Sequence, residues 1–69
     1  KGGTFPVVMN AANEIAVELF LKEKISFLTI PEIIEKQLEN HNNLIDFDLD
    51  AIIEIDKETR INVLKRYNS

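Results

Sequence analysis

The 69-residue chain is 45% apolar and 29% charged with a formal charge of −4, which suits a single small folded domain and excludes a disordered segment. A domain this short buries only about 60% of the surface its unfolded chain exposes. It contains no cysteine, so neither disulfides nor a thiolate metal site are expected to reinforce it, in keeping with a cytosolic setting. Only Lys65 and Arg66 are adjacent cations, and they fall at a predicted helix C-terminus where the dipole favours them, so no nucleic-acid partner is expected.

The first residue is Lys1 rather than Met, which leads to the expectation of a piece excised from a longer protein. No basic and apolar leader is recognisable, so no signal peptide is expected. The most apolar window, Val7 to Leu21, is interrupted by Asn10, Asn13, Glu14 and Glu18. A spanning helix needs about 20 predominantly apolar residues, so no membrane partner is expected.

Pro6 suits the first turn of a helix, where its missing N–H costs nothing, and no breaker follows before Lys22. At about 100° per residue, Val8, Met9, Ala12, Ile15, Ala16, Leu19 and Phe20 share the predicted core face. Val7, Val17 and Leu21 lie on the other side among Asn10, Glu14 and Glu18. A helix apolar beyond its own stripe is usually buried on more than one side. The reading taken is that this side docks on something outside the chain, the alternative being a scatter of exposed aliphatics.

Thr29-Ile30-Pro31-Glu32 fits a capping box that starts a second helix, with Leu28 and Ile33 placed to form a hydrophobic staple. Ile30, Ile33, Ile34, Gln37, Leu38 and His41 would share its inner face, and the helix should end near Asn40, before the turn His41-Asn42-Asn43. In the last third Asp48 is a candidate N-cap, with Leu49, Ile52 and Ile53 inward, then Ile61 and Leu64. Asp56 either caps a separate final helix or sits inside one continuous helix, paired with Arg60. The fold class is therefore all-α, a small bundle of three to four helices occupying residues 1–69.

A search for chemistry finds no catalytic set. Gly2-Gly3 has no preceding strand and no phosphate-loop pattern, and reads as a flexible helix entry. Asp46, Asp48 and Asp50 imitate a calcium loop, but Ala51 stands at the glycine position and Lys57 at the bidentate glutamate. His41 is the sole histidine and reads as a partly buried turn residue. Glu14 and Glu18 are an i,i+4 carboxylate pair with nothing to place them in a pocket. Asn10 and Asn13 weaken the helix by several tenths of a kcal/mol each; they serve either a neighbouring domain or a solvated stripe.

The Asn10-Ala11-Ala12-Asn13-Glu14-Ile15-Ala16-Val17 helix, preceded by Gly2-Gly3-Thr4-Phe5-Pro6, carries a resemblance. With Phe20-Leu21, Ile25 to Ile30, Ile33-Ile34-Glu35, Asp50 to Asp56 and Arg60, it resembles the C-terminal domain of the 1-deoxy-D-xylulose 5-phosphate reductoisomerase family. The match covers nearly the whole chain and is weakest between Gln37 and Phe47. The resemblance implies a non-catalytic helical domain of a cytoplasmic, homodimeric enzyme of the non-mevalonate isoprenoid pathway. That family converts 1-deoxy-D-xylulose 5-phosphate to 2-C-methyl-D-erythritol 4-phosphate with NADPH and a divalent cation, Mg²⁺, Mn²⁺ or Co²⁺. Its nucleotide-binding, metal-binding and catalytic residues belong to two preceding domains, so no catalytic, cofactor or metal residue is assigned here. Asn10, Asn13, Glu14, Val17 and Leu21 are the expected inter-domain contacts. A free-standing helical interaction module is the alternative.

Overall fold

A computed structural model describes residues 3–67 and contains three α-helices: α1 (Phe5–Leu21), α2 (Thr29–Glu39) and α3 (Leu49–Tyr67). The all-α expectation holds, with three helices rather than four. Asp56 lies inside the continuous α3, where its Oδ2 accepts from Arg60 Nε–H at 3.0 Å.

The chain runs up, down and up. Phe5 and His41 meet at one end of α1, and Phe20 and Phe27 stack edge-on at 5.5 Å at the other, so α2 is antiparallel to α1. Leu44 meets Thr4, Arg60 meets Glu14 and Val63 joins the cluster around Leu19, so α3 runs alongside α1 in the same direction. α1 packs on both other helices, which scarcely touch each other. Its fully buried Ala11, Ala12 and Ala16 let the neighbours approach closely, and Leu19, Ile33, Val8 and Val63 fill the core.

The ends of α1 are built differently. At its N-terminus the orphan N–H groups are met from a distant loop: Asn43 Oδ1 accepts from the backbone N–H of Thr4 at 2.8 Å and of Phe5 at 3.0 Å. Pro6 has no N–H to satisfy. Thr4 is fully buried; its Oγ1 accepts from Leu44 N–H at 3.0 Å and lies 2.6 Å from His41 Nε2. Gly3 adopts φ +72°, and a Cβ there would come within 2.6 Å of Leu44 O and Asn43 Nδ2. The loop's approach thus requires glycine, so Gly3 is a fixed helix entry and not the flexible one expected; Gly2 lies outside the described residues.

The C-terminus of α1 closes as a Schellman motif. Lys24 N–H reaches Leu19 O and Glu23 N–H reaches Phe20 O, both at 2.9 Å, with Glu23 left-handed at φ 62°.

Four sequence expectations need correction. The capping box at Thr29 does not form: Leu28 is already helical (φ −69°, ψ −17°), so Thr29 opens the helix, and its Oγ1 meets Ser26 Oγ at 3.0 Å. Leu28 points to solvent, so the staple with Ile33 is absent too. In α1, Met9 is half-exposed because it sits at the edge of the core arc, while Ala11 is buried in its place. In α3 the inward line is Ile52, Asp56, Thr59, Val63 and Tyr67, the stripe of one continuous helix. Ile53 and Ile61 lie roughly 100° and 180° off that line and are exposed, as is Leu49. Buried Thr59 satisfies its hydroxyl by donating to Ile55 O at 2.8 Å. Asp48 caps α3 as expected, its Oδ1 accepting from Ala51 N–H at 2.9 Å.

Candidate inter-domain face

The outward side of α1 carries Asn10, Asn13, Glu14, Val17 and Leu21, all exposed. Helical geometry places them within an arc of roughly 100° and along about 17 Å of axis. Leu21 is 72% exposed and Val17 37%, whereas Val7 is half-buried by its own domain. The greasy residues furthest along α1 therefore remain uncovered.

Glu14 already has an internal task. Its Oε1 accepts from Arg60 Nη2 at 2.6 Å, tying α1 to α3, and its Oε2 accepts weakly from Asn10 Nδ2 at 3.5 Å. Hydrogen bonding to Glu14, then to Asp56, raises the proton affinity of the Arg60 guanidinium, which stays cationic. Asn13 makes no side-chain hydrogen bond among the described residues, which leaves its carboxamide available.

Two concave regions border this face or back it. Along the α1–α2 joint, Pro6, Met9, Ile34 and Leu38 line shallow apolar grooves, with Asn10 and Asn13 on the rim. Sequence reasoning placed Met9 in the core; its position at the margin of the arc was the signal for a groove residue. Between α2 and α3, a polar cleft over Val8 is lined by Gln37, Asn40, His41, Glu58 and Asn62. Among the described residues no three His, Cys, Asp or Glu side chains converge to hold a metal ion. No helix of these residues is long and apolar enough to cross a membrane.

Among the described residues the outward side of α1 is therefore an exposed stripe of mixed polar and apolar side chains. The family model for the DXP reductoisomerase C-terminal domain matches residues 1–62. The chain belongs to that family. Its relatives include the 1-deoxy-D-xylulose 5-phosphate reductoisomerase of Caldanaerobacter subterraneus subsp. tengcongensis, 54% identical over 96% of this chain and 17% of that protein. The reductoisomerase of Chloroherpeton thalassium is 55% identical over 87% of this chain and 16% of its own length. That of Bacillus cereus is 49% identical over 94% and 17%. The reductoisomerase C-terminal domain described here thus spans about a sixth of the length of the curated relatives it matches. No solved structure matches it.

Proposed function

We propose that this chain is the non-catalytic C-terminal domain of a longer 1-deoxy-D-xylulose 5-phosphate reductoisomerase. The parent is a cytoplasmic homodimer that uses NADPH and Mg²⁺, Mn²⁺ or Co²⁺ to make 2-C-methyl-D-erythritol 4-phosphate in non-mevalonate isoprenoid biosynthesis. Nucleotide, metal and reacting groups sit in its two preceding domains. The domain's part is mechanical: α1 seats against those domains through Asn10, Asn13, Glu14, Val17 and Leu21, holding groups that touch substrate in register. The observation that carries this is 54% identity over 96% of the chain but only 17% of the relative's length. The uncovered Val17 and Leu21 support the mode of contact.

Covering a leucine side chain stabilises by about 1.5–3 kcal/mol, and a buried charge forfeits that and more. L21K, whose cation suits the C-terminal end of α1, is therefore expected to lower the melting point and turnover of the full-length enzyme, while shifting the 69-residue domain by no more than about 0.5 kcal/mol. Thermal melts of both, with NADPH oxidation on the sugar phosphate, decide it. Equal destabilisation in the two contexts would mean that Leu21 serves only the local fold. Turnover by the 69 residues alone would remove the non-catalytic assignment.

A further inference from the structure

The segment joining α2 to α3, residues 40–48, carries apolar side chains that the bundle covers only in part. Ile45 is 87% exposed and Leu49, at the start of α3, 68%, while Leu44 and Phe47 keep 41% and 38% of their surface open. Apolar side chains in a freely adjustable loop would turn inward. These are prevented by fixed ends. Asn43 is tied to the Thr4 and Phe5 N–H groups, Leu44 N–H is tied to Thr4 Oγ1, and Asp48 is committed to capping α3. The backbone is pre-organised to hold an apolar edge outward, which lowers the ordering cost of any contact made there.

The same anchors fix where the chain enters the domain. Thr4 is fully buried against Asn43 and Leu44, and Gly3 is pressed on Leu44 O and Asn43. A polypeptide leading into Gly3 therefore arrives beside this apolar loop. In the relatives the matched region is only 17% of the protein, and its family is described as a C-terminal domain, so a long stretch of chain leads in at this point. We propose that Leu44, Ile45, Phe47 and Leu49 form a second docking surface, and that its occupant is the preceding domain of the same polypeptide. This rests on the reading of the chain as the C-terminal domain of a longer enzyme. Tethering favours that occupant over a second copy, because a surface linked through Gly3 is held at an effective concentration on the order of millimolar. The contact lies at the N-terminal end of α1, about 25 Å of helix away from Leu21.

The test uses the full-length enzyme carrying I45C or, as a control, L28C. Leu28 is 76% exposed and lies at the opposite end of the bundle, past the C-terminus of α1. Alkylation by iodoacetamide is followed by peptide mass spectrometry in buffer and in urea. Position 45 is expected to react at least tenfold more slowly than position 28 in buffer and equally fast in urea; equal rates in buffer would overturn the proposal. A benzophenone maleimide placed through I45C, in dimers of mixed heavy- and light-isotope chains, identifies the occupant. Same-isotope cross-links to peptides upstream of Lys1 support it, and heavy–light links overturn it in favour of a second copy. NADPH-dependent turnover of the unsubstituted chain is read separately: an active enzyme with freely alkylated position 45 refutes the loop contact alone, and an inactive one refutes the parent reading.

Discussion

Asn43 should be worth more to this domain than any other exposed polar residue, because a single carbonyl oxygen stops two helix N–H groups from being orphaned. In N43A the Phe5 N–H, on a half-buried residue, can turn to water, but Thr4 is fully buried and its N–H cannot. Losing a helix cap costs about 0.5–2 kcal/mol, and stranding a buried donor about 1–3 kcal/mol. The two overlap, which gives about 2 kcal/mol for the substitution. A 69-residue domain has roughly 3.5–10 kcal/mol in total at 0.05–0.15 kcal/mol per residue, so the loss is a large fraction. At about 4–8 °C per kcal/mol the melting point should fall by about 8–16 °C. The assay is far-ultraviolet circular dichroism of the 69-residue chain, melted by heat and by urea. N43D keeps the acceptor and adds negative charge at the N-terminus of α1, so it should stay within about 0.5 kcal/mol of the parent. Asn42, exposed and without a side-chain bond among the described residues, supplies the control. If N43A lost no more than N42A, the idea that the loop caps α1 would fail.

Two further outcomes test other joints of the fold. Glu23 occupies a left-handed position that favours glycine, so E23G should raise stability by about 0.5–1 kcal/mol in urea melts, and a net loss would show that its side chain contributes more than its backbone strain costs. The Glu14–Arg60 bridge is partly exposed, so E14Q should cost no more than about 1 kcal/mol at low salt and almost nothing in about 1 M salt, and an undiminished loss would mean the pair acts through packing. Because the proton affinity of Arg60 is raised, its contribution is complete below the ordinary guanidinium range and lost only as pH climbs above it, so titrating Arg60 leaves stability flat from about pH 6 to 9.

What the sequence made legible was whatever depends on periodicity within one helix. The core line through Val8, Ala12, Ile15 and Leu19 and the cap at Asp48 follow from spacing and local hydrogen bonding, and the structure has both. The outward position of Asn10, Asn13, Glu14, Val17 and Leu21 follows from the same 100° rotation. The α3 face was right at Ile52 and Leu64 and misplaced at Leu49, Ile53 and Ile61, because the choice between one helix and two sets which residues share a line; continuity put Thr59 and Val63 at its centre. Least visible was the region around Asn43. Nothing local marks an asparagine in a turn as the cap of a helix 38 positions earlier in the chain. Gly3, Thr4 and His41 become intelligible only once that loop is placed against α1. The least diagnostic stretch of the sequence therefore holds the polar contacts that set the chain's entry.

The arrangement of three helices explains why the domain has so much left uncovered. α2 and α3 flank α1 and scarcely meet, so α1 is enclosed on two sides and bare on its third. Closing that side internally would need a fourth helix, and continuity through Asp56 spends those residues on a single long α3. The partly exposed Glu14–Arg60 bridge lies midway along the bare side and ties α1 to α3 without adding apolar area. Leu49 and Ile53 lie on the flank of α3 shared with Arg60, so exposed apolar side chains stand on both sides of the bridge, with Val17 and Leu21 beyond it. From the loop to Leu21 this surface runs about 25 Å. A short linker peptide crosses one end of it, whereas a rigid body presenting about 800 Å² can rest on its whole length. The breadth of the uncovered surface thus favours a folded neighbouring domain over a strand of connecting chain.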